Sequence, residues 1–371
     1  MRILFAAAGT AGHVNPAIAI AQIMKKHHPD AEFLFLVTPN GMEKGLIEKA
    51  GYATYVMDVR GIQRRLTAEN LRALHLFLRA DKTARKLMLK WRPDLIIGTG
   101  GYMSFPAVRA GKRLRIPCVL HESNAVPGLA VRLLARKADL VLGGFPCLGN
   151  HLPKKACFHY VGTPIRQEFK SISRASARDA IGVHDGEFLL VAVGGSLGAK
   201  QLSAIAISCF KNLYQSRNCC RMILSTGKRF YDDLVHFADQ THLSKCALTI
   251  MPYIDNMATV LSAADLVISR GGAATITELS AVAAPSIIVP YPAATGDHQT
   301  KNAMAMERLG ACMIIPENEL TAERLEREIA DLIRHPERLR QMRNASRALR
   351  PKESGKSIEE LLDKLLMQYL P

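Results

Sequence analysis

Residues 1–17, Met1-Arg2-Ile3-Leu4-Phe5-Ala6-Ala7-Ala8-Gly9-Thr10-Ala11-Gly12-His13-Val14-Asn15-Pro16-Ala17, decide how the rest of the chain is read. A short apolar run stops at a glycine turn and passes at once into a helix-compatible stretch. That is a strand, a tight turn and a helix, the opening of a βαβ unit. A secretory leader would carry a longer apolar core, and this run ends too soon in Gly9-Thr10-Ala11-Gly12-His13 to be one.

Working outward, the same unit recurs. Strands are expected at Arg2–Ala7, Glu32–Val37, Ala53–Met57, Leu95–Gly98, Cys118–His121 and Leu140–Gly143, with helices such as Asn15–His27 and Gly41–Ala50 between them. The rhythm restarts after Val161-Gly162-Thr163-Pro164, with strands at Phe188–Val193, Arg221–Ser225, Leu248–Met251, Leu266–Ser269 and Ser286–Val289. Gly162 and Pro164 are turn residues, which puts an inter-domain link there. The expectation is an α/β chain of two Rossmann-like, doubly wound domains facing an interdomain cleft, residues 1–163 and 164–351. From Leu320 the chain is helical and charged, and Pro351 interrupts it before a last apolar-periodic helix, Ile358–Tyr369. A length of 371 residues suits two domains, each large enough to bury its own core.

Composition narrows the function. Hydrophobic content of 48% with 22% charged residues is that of a globular protein. The eight cysteines form no C-x-x-C pair, so a reducing compartment is expected. The longest apolar stretch, Ala281–Ala294, is broken by Pro285, Pro290 and Pro292 and falls short of the ~18 residues of a spanning helix. A formal charge of +16 calls for an anionic partner: nucleic acid, a bilayer surface or a phosphorylated substrate. With 6% aromatic residues and no recognisable nucleic-acid-binding motif, no nucleic acid partner is expected.

Ligands of such folds bind beyond the carboxyl ends of the strands. Four glycine-bearing loops fall there: Gly9-Thr10-Ala11-Gly12-His13, Gly98-Thr99-Gly100-Gly101-Tyr102, Gly194-Gly195-Ser196-Leu197-Gly198-Ala199 and Gly271-Gly272-Ala273-Ala274-Thr275-Ile276-Thr277-Glu278. Glycine lets backbone N–H groups approach an anion, and a helix N-terminus adds about half a positive charge. Four such loops point to a phosphorylated ligand. Neither G-x-G-x-x-G nor G-x-x-x-x-G-K-[ST] occurs, which argues against NAD and ATP.

Three segments of the first half, Gly9 to Ala17, Gly98 to Tyr102 and His121-Glu122-Ser123-Asn124-Ala125-Val126-Pro127-Gly128, carry a family resemblance. The second half continues it in Gly162-Thr163-Pro164-Ile165-Arg166, Gly194 to Ala199 and Asp297-His298-Gln299-Thr300-Lys301-Asn302-Ala303. Together these resemble the MurG family of peptidoglycan N-acetylglucosaminyltransferases. The resemblance implies a GT-B fold whose C-terminal domain holds UDP-GlcNAc. The acceptor it implies is lipid I (undecaprenyl-diphospho-MurNAc-pentapeptide), the product lipid II with a new β-1,4 bond. It also implies a last helix, about 352–371, that returns to the N-terminal domain, and a peripheral place on the cytoplasmic face of a bacterial cell membrane. By position, Glu278 would hold the ribose hydroxyls and the backbone of Ile254 the uracil. Ser196 with Ala273, Ala274, Thr275, Ile276 and Thr277 would cradle the diphosphate, and Gln299 would meet the GlcNAc hydroxyls. Thr10, Ala11, Gly12, Asn124 and Arg166 align with further nucleotide-sugar contacts. Ala8 and Ala11 stand where the family has glycine, and Ser123 and Leu197 where it has glutamine.

Inverting transfer from an α-linked UDP-sugar is a single displacement through an oxocarbenium-like transition state. It needs a base for the acceptor hydroxyl and positive potential for the departing UDP. His13 fits the base, since a helix N-terminus disfavours imidazolium; Glu122, beyond a strand end, is its rival. No D-x-D occurs, so neither a tightly bound metal nor another cofactor is expected. Residues 60–92 hold ten basic side chains against Glu69 and Asp81, interleaved with Leu71, Leu74, Phe77 and Trp91. That mixture suits an anionic membrane surface. Two other readings stay open: another GT-B enzyme of UDP-GlcNAc, either with a different acceptor or a 2-epimerase, and a basic nucleic-acid-binding protein.

Overall fold

The computed structural model describes residues 1–9, 11–39, 41, 43–59, 68–165, 168–195, 198–216, 219–349 and 354–369, without the side chains of 11, 68–78, 170, 171, 295 and 354–357. The chain divides into two units, Met1–Ile165 with Pro351–Pro371, and Arg166–Arg350.

In the first unit seven strands run β1 (Arg2–Ala6), β2 (Glu32–Val37), β3 (Ala53–Val56), β4 (Leu95–Gly98), β5 (Cys118–Glu122), β6 (Leu140–Gly143) and β7 (Phe158–Tyr160). They form one parallel sheet in the order β3-β2-β1-β4-β5-β6-β7. Ile3, Leu4, Phe5 and Ala6 are all buried, so β1 is an unbroken apolar run rather than an alternation. That is the mark of a central parallel strand covered on both faces. The second unit has β8 (Phe188–Val193), β9 (Cys220–Ser225), β10 (Leu248–Met251), β11 (Leu266–Ser269), β12 (Ser286–Ile288) and β13 (Cys312–Ile314). Their order is β10-β9-β8-β11-β12-β13, again all parallel. The order reverses beside β1/β4 in one sheet and β8/β11 in the other, where strand-end loops diverge and leave a crevice.

Two strands escape the sequence reading. β7 and β13 are three residues long and lie at sheet edges, so they lack the continuous apolar run that marks the central strands. The first helix also begins earlier than its proline suggests, at Ala11, and carries Pro16 inside. Proline has no N–H to return to the carbonyl four residues back, so the helix leaves the Gly12 carbonyl without that bond.

The helix Ser354–Met367 belongs to the first unit. Ile358, Leu362 and Leu365 repeat at helical spacing and share a core with Ile20 and Met24. Around that contact His28 pairs with Asp363 at 2.9 Å, His27 with Glu359 at 2.6 Å, and the Tyr369 hydroxyl donates to Asp139 at 2.8 Å. In the second unit Asp265 takes Arg174 at 2.6 Å, Arg178 at 3.0 Å and the backbone N–H of Leu189 at 2.8 Å, fixing the start of β11.

His121, on β5, is fully buried, with Nε2 3.3 Å from the Gly162 carbonyl. Burial pulls its imidazole from 6.5 down to about 4, against the opposing pull of that carbonyl. The unfolded chain therefore takes up the proton first as pH falls. The stability due to neutral His121 is complete above pH 6.5 and is lost on the way to pH 4, roughly 3 kcal/mol in all. Unfolding followed between pH 7.5 and 4.5 should show His121→Gln, which keeps a donor for Gly162, losing stability less steeply than the parent. Identical slopes would show that His121 does not set the acid limb.

Candidate active site

In the first unit the functional side chains are arranged by loops after β1, β4 and β5. Helix Ala11–His27 places His13 in its first turn. The imidazole lies against the β4 loop so closely that a Cβ on Gly100 would come 2.7 Å from its Cδ2, and one on Gly101 3.5 Å from Nδ1. Both glycines have positive φ, +101° and +72°, and a Cβ at Gly101 would also strike the Ala8 carbonyl at 2.3 Å. Only glycine fits this cradle. The Thr99 hydroxyl donates to the His13 carbonyl at 2.7 Å, and Ser104 Oγ lies 2.7 Å from the carbonyl of Gly100 and 3.1 Å from that of Ala6. These bonds tie the β4 loop to the end of β1 and to the helix that carries His13.

Glu122 ends β5 and is buried. Its Oε1 accepts from the backbone N of Asn124 at 3.0 Å and from Asn124 Nδ2 at 2.8 Å, while Oε2 accepts from Gly128 N at 2.8 Å. Both carboxylate oxygens thus hold the loop 123–128. A second buried acid, Glu43, accepts from Thr38 N at 3.0 Å and from Thr38 Oγ1 at 2.5 Å. Burial, and after it the charge of Glu43, raise the Tyr102 phenol, while a hydrogen bond with Thr38 lowers it. The sequence marks Glu43 only as a residue of an amphipathic helix; nothing in its spacing signals this junction with the β4 loop.

In the second unit the crevice lies between the loops after β8 and β11. Gly198, at φ +77°, passes so near the next loop that a Cβ would meet the Thr226 carbonyl at 2.1 Å. After β11, helix Ala273–Val282 begins at Gly272 with no side-chain cap and no acid in its first turn. Uncapped N–H groups with a positive dipole end form an anion site. Ala273, Ala274, Thr275 and Glu278 are half-buried there, whereas Ile276 and Thr277 are turned inward, with the Thr277 hydroxyl donating back to the Ala273 carbonyl at 2.9 Å. Ile254 is fully buried in the segment after β10. Gln299 Oε1 accepts from Gly271 N at 3.1 Å and from Tyr291 N at 2.9 Å, tying the β11 and β12 loops together.

The comparisons agree with this architecture. Residues 3–142 match the glycosyltransferase family 28 N-terminal domain, and residues 189–361 match the family's C-terminal domain. A relative from Carboxydothermus hydrogenoformans is 38% identical, covering 99% of this chain and 98% of its own. The chain belongs to glycosyltransferase family 28. A second relative of this family, from Desulforudis audaxviator, is 37% identical over 98% of each chain. Both are named UDP-N-acetylglucosamine--N-acetylmuramyl-(pentapeptide) pyrophosphoryl-undecaprenol N-acetylglucosamine transferase. Among solved structures, Acinetobacter baumannii MurG superposes with a TM-score of 0.80 at 29% identity, covering 98% of this chain and 99% of that one. The two parallel sheets are those of a GT-B member of family 28.

Within this family 28 chain, the structure gathers His13, Gly12, Glu122 and Asn124 at the strand ends of the first unit, and Ala273 to Glu278 with Gln299 and Ile254 at those of the second. Thr10, Arg166, Ser196 and Leu197 lie outside the described residues, as does the side chain of Ala11. Ser104, Glu43 and Arg270 shape the same loops without having been marked by the sequence.

Because a methyl at Gly100 would both strain the backbone and press on the His13 ring, Gly100→Ala should displace the imidazole. A misplacement of about 1 Å costs on the order of 10²-fold in rate. Transferase kcat should fall by that order while UDP affinity, measured by calorimetry, stays within a factor of about two. A Gly100→Ala enzyme of ordinary turnover would show that the ring needs no such cradle.

Proposed function

We propose that this chain transfers GlcNAc from UDP-GlcNAc to the C4 hydroxyl of the MurNAc unit of undecaprenyl-diphospho-MurNAc-pentapeptide, forming lipid II for peptidoglycan. What carries this reading is the match, over almost the whole chain, to relatives named for that transfer. The geometry supports it, with a cradled imidazole on one unit and an uncapped helix N-terminus on the other. In the step proposed, the acceptor oxygen forms a bond to the anomeric carbon as the bond from that carbon to the UDP oxygen breaks. UDP leaves with the electron pair, and the proton of the hydroxyl passes to His13 and then to water. Glu122 is assigned to loop positioning rather than to the proton, because both of its oxygens already accept hydrogen bonds from residues 124 and 128. The first-turn N–H groups at Ala273 to Thr275 would oppose the charge of the leaving diphosphate, a role that the family resemblance also gives to Ser196 and Arg166. Glu278 would accept the ribose hydroxyls, the Ile254 backbone would read uracil, and Thr10, Ala11, Gly12 and Asn124 would complete the sugar-nucleotide contacts.

The acceptor is a lipid, and the first unit has a surface suited to an anionic leaflet. Among the described residues no helix is long and apolar enough to cross a membrane. Helix Ala68–Trp91 buries Ala80, Ala84 and Met88 on one side. On the other it exposes Lys82, Arg85, Lys86 and Lys90 around Leu89, which is 58% exposed. Residues 60–67, with Arg60, Arg64 and Arg65, lie outside the described residues. These features support the proposed peripheral place on the cytoplasmic face of the cell membrane, with charge attraction of about 1 kcal/mol per well-placed basic residue.

Radiolabelled UDP-GlcNAc with a short-chain analogue of the acceptor should yield the disaccharide product, and His13→Ala should lower kcat by ~10²–10⁴ while sparing UDP affinity. No product from the parent enzyme would refute the transfer; full turnover by His13→Ala would refute its base.

Sedimentation with anionic vesicles tests the surface. Replacing Lys82, Lys86 and Lys90 with Glu should release the protein and slow turnover of long-chain acceptor, while turnover of a short soluble acceptor persists. Undiminished sedimentation would leave those lysines as an ordinary solvated face.

A further inference from the structure

Arg270 and Glu317 belong to none of the contacts assigned above, yet they are a paired and largely buried set of charges beside the β11 loop. Their side chains are 11% and 15% exposed, and Arg270 Nη2 donates to Glu317 Oε1. Arg270 Nη1 donates to the Val289 carbonyl at 3.2 Å and to that of Pro290 at 3.4 Å. Its guanidinium also stands 5.5 Å from the ring centroid of Tyr291, within cation–π range. One side chain on the β11 loop therefore holds the β12 loop at Val289–Tyr291 and the β13 loop at Glu317.

The consequence falls on Gln299. Backbone N–H groups can only donate, so the atom that meets Gly271 N and Tyr291 N has to be the amide oxygen, and the orientation of the amide is thereby fixed. What the side chain has left for a ligand is the pair of N–H bonds on Nε2. Gly271 is held independently: Asn302 Nδ2 donates to its carbonyl at 3.2 Å, and a Cβ there would meet the Gln299 carbonyl at 2.4 Å. Tyr291 is not enclosed in that way, being 46% exposed at the start of a loop. Its N–H shares a rigid peptide plane with the Pro290 carbonyl, and that carbonyl is one of those Arg270 grips. Fixing the carbonyl on one side of the plane aims the N–H on the other.

We infer that Arg270, held by Glu317, is a positioning residue that locks the Gln299 amide with its N–H pair toward the donor sugar, so that the site selects a sugar presenting hydrogen-bond acceptors there. This rests on the reading of Gln299 as a UDP-GlcNAc contact. Without Arg270 the Pro290–Tyr291 peptide can turn, the amide loses one of the two donors that orient it, and its oxygen can face the sugar as readily as its nitrogen.

Calorimetry with UDP and with UDP-GlcNAc separates this from a merely structural ion pair. The informative variant is the double replacement Arg270→Met with Glu317→Gln, which removes both charges and leaves neither buried alone. Glu317→Gln by itself keeps a neutral acceptor for the guanidinium and serves as the milder variant should the double one not fold. For the double variant, UDP-GlcNAc affinity should fall about ten-fold and KM rise accordingly, with UDP affinity within two-fold of the parent. Glu317→Gln should lie between the two, and Arg270→Lys, which cannot grip both carbonyls and the carboxylate, should not restore binding. Equal losses for UDP and UDP-GlcNAc in a variant that melts like the parent would overturn the inference, as would unchanged UDP-GlcNAc affinity. Failure of the parent itself to bind UDP-GlcNAc would instead overturn the donor reading.

Discussion

The ring of His13 and the backbone of Gly100 occupy adjoining space that a single methyl group would fill. That contact exists because β1 and β4 are neighbours in a parallel sheet, in register from Ile3↔Leu95 to Ala6↔Gly98. Their ends open at the same level, so the loop leaving one strand meets the loop leaving the other at van der Waals distance. Had the order not reversed between them, a crossover helix would cover this spot rather than leaving it to loops. Thr99 and Ser104 fix the two loops through their backbone carbonyls, and the positive-φ glycines bring the β4 loop against the imidazole.

The same topology is used differently in the second unit. There the crevice presents peptide groups: the bare N-terminus of helix Ala273–Val282 and the tight passage of Gly198 past Thr226. On the β11 loop beside it, Arg270 is already engaged by Glu317. On the reading proposed above, such dipoles would meet a diphosphate without the desolvation of a free buried cation.

How much of this the sequence discloses follows from periodicity and from contact order. The central strands are legible because burial on both faces forces unbroken apolar runs, as in Leu95-Ile96-Ile97 and Leu266-Val267-Ile268. The glycine loops are legible because positive φ and close approach leave glycine as the residue of choice, at Gly100, Gly101 and Gly198. The strands β7 and β13 are not, since a three-residue edge strand carries no period. Neither are Glu43 and Arg270, whose partners lie on other loops: Tyr102 is reached from Glu43, and Glu317 from Arg270, only after the sheet has set its strand order. The role of Glu122 was legible as to place but not as to use. A carboxylate beyond a strand end reads equally as base or as anchor, and only the three N–H bonds it accepts tell which oxygens are already taken.

The formal charge of +16 therefore divides according to where each cation is solvated. On the β11 loop the largely buried Arg270 is neutralised by Glu317, because an unpaired charge there would bear a desolvation cost of several kcal/mol. Cations on helix Ala68–Trp91 stay in water and bear no such cost, as Lys82, Arg85, Lys86 and Lys90 do. Their field acts over a Debye length, about 8 Å at physiological salt, which suits attraction to a charged sheet of lipid more than chemistry at one bond. On the reading proposed above, the diphosphate meets the strand-end loops and the lipid surface meets the lysines of helix Ala68–Trp91, so mutations of surface lysines and of loop glycines should perturb separable steps.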